Sequence, residues 1–472
     1  MMLNENKKTE FNVSHKEGSK GLYDLDSPAL ESATLLFQMA PGLFLPYEFG
    51  GVKHEIAGYQ KHAWIGTTLM ISPIYDIVGP DAIEFFNSIC VNDFTNLTDE
   101  GIRHAVLCND EGQILTDGVV MKKDENHYRT YWLNPPIDYY AKNSKLNIEG
   151  IDMSGKEYFI QIAGERSLEI LEDAFEKDLH DIRFAKHRKE MMGNKEVEIL
   201  RLGMSGNLGY EIHGPMEDFD EVYHKVWTSG EKFGARKLGM HAYNLFNHTE
   251  AGFPNIHIHY PLPWFESDEE MTKYMYEHPQ ISSYNINRVL KGSLGDELQE
   301  RFVTPYDLGW GSLVKFNHEF RGREALEKIA KNPTRQVVTL EWNADDIGAV
   351  FATQFKPEET ACESIAEESD LNLTNNTFFG ETVYRNDRVQ YDGKDVGMSS
   401  GRIVSYNYNS MISLGFIDPA YAKEGTELTL IWGTPGTRQM SIRVKVAKYP
   451  YNSDLISNQK KDVEEIPHYT DQ

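Results

Sequence analysis

Two carboxylates, a phenol and an amide, set far apart in this chain, have the types that group-transfer chemistry uses. Glu211 lies in 206-GNLGYEIHGP-215, where a Gly-rich turn delivers Gly209-Tyr210-Glu211 onto a short strand ending at Gly214-Pro215. A carboxylate there can accept two N–H donors side by side. Gln161, two residues before the Ala163-Gly164 turn, offers an amide; the competing reading is a strand glutamine facing solvent. Tyr243, in 238-LGMHAYNLFNHTEAGFP-254, carries an O–H that either assists a departing oxygen or hydrogen-bonds within a core. Asp117, in 112-GQILTDGVVMKK-123, either takes part in chemistry or stabilises a turn through its own backbone N–H groups.

Histidines gather nearby at His241, His248, His257 and His259. They stand at alternate places without a supporting Cys/Asp pattern, so no metal site is expected. No phosphate-binding loop, dinucleotide fingerprint or Ser-His-Asp pattern appears in a usable context.

These residues need elements to hold them. The stretch 72-SPIYDIVGPDAIEFFNSI-89 reads as strand, Gly-Pro turn and helix, with Phe85, Phe86 and Ile89 on the apolar side. A similar unit returns at 158-YFIQIAGERSLEILEDAF-175, which points to two related α+β halves. Between them, 112–123 and 127–136 alternate like antiparallel strands. A helix is expected over 216–229, with Phe219, Val222, Tyr223, Val226 and Trp227 in one packing stripe. Beyond 335 the pattern turns to strands at 336-QVVTLEW, 426-TELTLIWG and 440-MSIRVKVAKY, which predicts a small antiparallel barrel. The expected class is therefore α+β. It divides into an arm at 1–28 ending at the helix-start signal Ser27-Pro28, an α+β region at 29–334 with two subdomains, and a barrel at 335–472. The acidic stretch 357–370 reads as a solvated insertion.

The chain has 472 residues, 40% hydrophobic and 12% aromatic, enough for well-filled cores. Its net charge of −26 opposes nucleic acid and anionic lipid partners, whose phosphates it would repel. The cysteines, Cys90, Cys108 and Cys362, form no CxxC, so buried free thiols in a reduced compartment are expected. No apolar run reaches the ~18–20 residues of a membrane span, and the first thirty residues lack a signal-peptide core. A soluble, cytoplasmic protein is expected.

The segment 305-PYDLGWGSLVKFNHEFRGREALEKI-329, a loop closing on a helix that opens at Gly322-Arg323 and buries Ala325, Leu326 and Ile329, resembles a junction in the glycine cleavage T-protein (aminomethyltransferase) family. There it joins the folate domain to the C-terminal barrel. Glu211 in Gly-Tyr-Glu, Glu250-Ala251-Gly252, and the run from Gly425 to Pro450-Tyr451 resemble the same family in the same order. The resemblance spans roughly 30–452 and implies tetrahydrofolate as cofactor, a one-carbon unit moving to or from its N5, and a small-molecule methyl donor. It implies Glu211, with Tyr210 and Gln161, as the pterin-binding group.

Position 243 narrows the branch. T-proteins carry an Arg-Asp pair where this chain has Tyr243-Asn244, and tyrosine there resembles the tetrahydrofolate-dependent aryl O-demethylases of the vanillate and syringate type. In that branch Tyr243 would assist the departing phenolate, and Asp117 would be the surviving member of a catalytic acidic pair whose first position is now Thr116. The branch's Arg before the proline of 131-YWLNPP-136 is replaced by Leu133-Asn134, and its histidine near Met70-Ile71 is absent. His257, His259 and Asn134 are the candidates to bind substrate in their place. The implied activity is demethylation of a small methoxyaryl compound. A sulfonium donor such as dimethylsulfoniopropionate, and a folate-binding homologue without chemistry, are the alternatives.

Overall fold

The computed structural model describes residues 25–40, 43–56, 62–256, 258–278, 288–366 and 382–453. The two strand–turn–helix units are the starts of two sheets wired alike. In the first, strand Ile74–Val78 leads to helix Ala82–Ile89 and then to the meander Ile102–Cys108, Ile114–Asp124 and His127–Tyr131. In the second, strand Glu157–Gly164 leads to helix Ser167–Phe175 and the meander Lys186–Met192, Lys195–Arg201 and Gly209–Pro215. In each sheet the third meander strand pairs antiparallel with the opening strand. A further strand then flanks the opening one, Glu149–Asp152 in the first sheet and Ala63–Gly66 in the second. The sequence echo is thus a repeated topology, with Arg236–Leu238 added in parallel at the far edge of the second sheet.

Phe85, Phe86 and Ile89 are buried on the first sheet's helix, as their spacing on one helical face requires. The apolar stripe expected at 216–229 lies on helix Phe219–Lys232, with Met216–Asp218 forming a tighter turn before it.

The C-terminal region is a closed barrel of six antiparallel strands: Thr382–Tyr391, Lys394–Ser405, Ser410–Ile417, Gln336–Trp342, Met440–Ala447 and Glu427–Trp432. Val389 opposite Leu430 closes the ring, which removes open edges. Strand Arg288–Lys291 joins Thr382–Tyr391 in parallel, so chain from before 335 also contributes to the barrel's sheet. The loop entering helix Arg323–Lys331 turns at Gly322, with φ 84°, where a Cβ would come within 2.3 Å of the Asn109 carbonyl oxygen. Leu326 is buried under it, while Ala325 and Ile329 are only partly covered.

Two expectations are corrected. Ser27-Pro28 opens a set of turns rather than a helix, because Ser27 Oγ accepts from the Ala29 N–H and nothing propagates beyond. The acidic stretch is not wholly solvated: Glu363 accepts from the Thr434 N–H and from Arg385 at 2.7 Å, and Cys362 and Ile365 are buried against the barrel. Residues 367–370 of that stretch lie outside the described residues. All three cysteines are buried and unbridged. Among the described residues no helix is long and apolar enough to cross a membrane.

Candidate functional site

Between the two sheets lies a cavity of about 240 Å³. The first sheet contributes His104, Asp117 and Tyr131, the second Phe159 and Glu211, and the segment after Arg236–Leu238 contributes Tyr243, His248 and Phe253. Its walls are chiefly aromatic and aliphatic, and no lysine or arginine lines it among the described residues.

Register explains one wall. His104 stands opposite Val119, so Asp117 is its diagonal neighbour on the same face of the hairpin, within reach of an imidazole. His104 Nε2 lies 2.9 Å from Asp117 Oδ2, and the Tyr260 hydroxyl donates to Asp117 Oδ1 at 3.1 Å. With both oxygens accepting, the carboxylate fixes the imidazole as its Nε2–H tautomer and leaves Nδ1 as an acceptor. The His104 ring stands edge-on to Trp310 at 4.8 Å and is tilted against Phe253 at 5.5 Å. Burial and the Asp117 charge push the Tyr260 hydroxyl far above its ordinary range. Asp117 sits inside a strand with its oxygens on side chains, so its alternative reading as a turn stabiliser is set aside.

The second sheet brings Glu211 to the cavity, with Gln161 directly beside it on the neighbouring strand. Gln161 Nε2 donates to Glu211 Oε1 at 3.3 Å and to the Tyr243 hydroxyl at 3.1 Å. Both side chains are buried, and Gln161 Oε1 has no partner among the described residues. Tyr243 lies on the widened helical turn Ala242–Asn247, of the kind often found at functional sites. Burial, opposed by the Gln161 hydrogen bond and aided by the Glu211 charge, raises its pKa well above the tyrosine range. Its oxygen accepts from Gln161, and its O–H has no acceptor among the described residues.

His248 meets the Tyr243 ring edge-on at 5.7 Å. Its Nδ1–H donates to the Phe253 carbonyl at 2.9 Å, and burial lowers its pKa to about 4, so the imidazole is neutral. Behind Glu211, His213 Nε2 lies 3.4 Å from Glu211 Oε2, while its Nδ1 is 2.8 Å from the Tyr131 hydroxyl. Strand His127–Tyr131 is itself anchored by Arg129, which grips Asp76 with two bonds of 2.7 Å.

Other expected site residues fall elsewhere. Tyr210, next to Glu211, faces the other side of the strand and packs in the core, as alternation along a strand requires. His259 is buried away from the cavity: Nδ1 accepts from the Asn255 N–H and Nε2 meets Thr249 Oγ1, while burial lowers its pKa to about 3. A neutral, fully engaged imidazole has nothing left to offer a substrate. Asn134 is buried but does not line the cavity; Trp132, two residues earlier, does. His257 lies outside the described residues. His241 pairs with Glu48 at 2.8 Å and stacks on Tyr47. His104 was not singled out from sequence, because its partner is revealed only by the register of two strands.

The GCVT N-terminal domain family model matches residues 48–258. The sesamin methylene transferase of Sinomonas sp. (strain No.22) is 48% identical over 90% of this chain and 94% of its own. The syringate O-demethylase of Sphingobium sp. (strain NBRC 103272 / SYK-6) is 30% identical over 92% of this chain and 96% of its own. Among solved structures, the glycine cleavage system aminomethyltransferase T from Bartonella henselae superposes with a TM-score of 0.61 at 17% identity, covering 89% of this chain and 95% of that one.

Proposed function

The chain belongs to the GCVT family, whose members are tetrahydrofolate-dependent, and from that premise we propose that it moves a one-carbon unit from a neutral aryl ether to tetrahydrofolate. The observation that carries this reading is the cavity itself. Glu211, backed by Gln161, and Tyr243 meet there among aromatic walls without a lining cation among the described residues, which supports reading Glu211 as the folate anchor and Tyr243 as a donating phenol.

The buried groups fit the cofactor. Glu211, which lines the cavity, offers two acceptor oxygens, a pattern complementary to a heterocycle edge carrying adjacent N–H donors, and Gln161 holds one of them from the neighbouring strand. When bound, tetrahydrofolate supplies the nucleophilic ring nitrogen that receives the carbon.

The chain's own residues do the rest. Aromatic faces from Tyr131, Phe159 and Phe253 hold a planar donor ring and keep water out, which strengthens each polar contact inside. Tyr243 aims an O–H that stabilises negative charge growing on the departing oxygen, an effect of about 10²–10³-fold for a single well-placed donor. Gln161 holds that hydroxyl from behind, so its donating direction is fixed before substrate arrives.

The two relatives named above act, by their names, on sesamin and on syringate, a carboxylate. A benzoate in this cavity would lose its charge-bearing partner, at a cost of several kcal/mol for an unpaired buried anion. Neutral methoxy- and methylenedioxyarenes carry no such cost. The test is a matched panel of each ether with and without a ring carboxylate, incubated with tetrahydrofolate and read by mass for the one-carbon folate. Turnover of the neutral members, at least tenfold above their carboxylated partners, is the expected result. Turnover of only the carboxylates, or only of sulfonium compounds, would overturn the reading.

A further inference from the structure

We propose that His104, oriented by Asp117 and Tyr260, is the proton carrier of this site: it takes the proton released by the accepting amine at Nδ1 and passes it to the departing oxygen. The inference rests on the transfer reaction proposed above and names a group that reaction requires. When the carbon–oxygen bond breaks, its electron pair stays on oxygen, and the new carbon–nitrogen bond forms from the nitrogen lone pair. The nitrogen then sheds its N–H proton and the oxygen needs one. Aryl ether and secondary amine thus become phenol and alkylated amine with no proton gained or lost, provided one group ferries it.

The structure narrows the choice of ferry. Tyr243 can hydrogen-bond to the oxygen, but its surroundings oppose a tyrosinate, so it does not part with its proton. His248 has committed Nδ1–H to Phe253, and burial keeps it uncharged. Glu211 faces Gln161 at the anchoring wall. His104 differs from all three. It lines the cavity as they do, but its Nε2–H is held by an acceptor-only carboxylate and its Nδ1 has no partner among the described residues. A carboxylate behind the ring stabilises the imidazolium that forms on proton uptake, as in other His–Asp couples. Tyr260 completes the support by donating to the other Asp117 oxygen, which stops that carboxylate from rotating away. The rings of Tyr243, His248, Phe253 and His104 follow one another along one side of the cavity, so hydrogen-bond donor and proton carrier share a wall.

Two readouts test this, one independent of turnover. In ¹⁵N-histidine-labelled full-length protein, long-range ¹H–¹⁵N correlations should show His104 with a proton on Nε2 and a bare Nδ1 at neutral pH, and Asp117→Asn should erode that preference. A protonated Nδ1 in the neutral ring would overturn the proposal, whatever the substrate proves to be. For turnover, His104→Gln should lower kcat about 10²–10⁴-fold and abolish the acid limb of the kcat/KM–pH profile, with tetrahydrofolate affinity within threefold of wild type. His104→Ala opens a ring-sized gap, and added imidazole should recover at least tenfold of its lost rate. Retention of the acid limb in His104→Gln, or a folded His104→Ala that imidazole does not rescue, would also overturn it. Absence of turnover by the wild type on every aryl ether would remove the reading of function and leave the tautomer measurement to decide the couple.

Discussion

Replacing Tyr243 by Phe separates the chemistry of its hydroxyl from its packing. The ring is buried, with edge contacts to Trp64 at 6.0 Å and His248 at 5.7 Å, and phenylalanine keeps both. The only hydrogen bond lost among the described residues is the one from Gln161 Nε2, which retains its second acceptor at Glu211 Oε1. The folding cost is therefore that of one neutral hydrogen bond with its donor still satisfied, about 0.5–1.5 kcal/mol. The catalytic loss should be larger, about 10²–10³-fold in kcat, or roughly 2.7–4 kcal/mol of transition-state stabilisation. KM and tetrahydrofolate affinity should hold within a few-fold, since the contact strengthens only as charge develops on oxygen. Steady-state kinetics on a leaving-group series is the assay: electron-poor aryl ethers need less help, so the mutant's deficit should shrink as the phenol becomes more acidic. A loss below about threefold for every donor, or a deficit independent of leaving group, would refute the reasoning and reduce Tyr243 to a packing residue.

Glu211→Gln should weaken tetrahydrofolate binding by about 1.5–3 kcal/mol in calorimetry, because a charged acceptor is exchanged for a neutral one that presents an N–H as well; unchanged affinity would exclude it as the anchor. Gly118→Ala should destabilise by about 1–3 kcal/mol on chemical denaturation, since its Cβ would lie 2.1 Å from the Tyr131 carbonyl oxygen and the strand carrying Asp117 must shift; a neutral effect would contradict that close approach. Glu55 is fully buried, and desolvation raises its pKa to about 7 against two opposing backbone hydrogen bonds. The folded state therefore holds a proton that the unfolded state has released, so stability present below pH about 4.5 should fall by roughly 3 kcal/mol as pH rises to about 7. Glu55→Gln should flatten that slope while lowering stability throughout, because one amide oxygen cannot accept from both Phe49 and Gly239; an unchanged slope in urea titrations across that range would assign it to other groups.

Much of the architecture was legible because periodicity reports burial. The strand–turn–helix echo at 72–89 and 158–175 proved to be a shared sheet order, and alternation beyond 335 proved to be a closed barrel. Within the site, Glu211 and Gln161 became neighbours through strand pairing, and Tyr243 met Gln161 from 82 residues further along the chain. What stayed hidden depends on register. His104 and Asp117 meet because their strands pair 104 with 119, a number fixed by the turn between them and the packing of both faces. Tyr210 could have been placed correctly from sequence, since adjacent strand residues face opposite ways once Glu211 is taken to point inward. His259 could not, because its two partners, Thr249 in the short helix His248–Glu250 and Asn255 in the chain after it, follow no periodicity that reaches residue 259. The start at Ser27-Pro28 misled for a similar reason: a cap signal propagates only where an apolar stripe follows to be buried.

The central claim is that a carbon leaves a neutral aryl ether and arrives on tetrahydrofolate in this cavity. It is tested most directly by following the carbon itself. A donor labelled with ¹³C at its methoxy or methylenedioxy carbon should, with stoichiometric protein and tetrahydrofolate, transfer that label to the folate and release an equal amount of free phenol, both seen by NMR in one sample. Glu211→Gln should slow this transfer at sub-saturating folate, and Tyr243→Phe should slow it at any folate concentration. Label that remains on the ether, or that appears as free formaldehyde or methanol with folate unlabelled, would contradict the account.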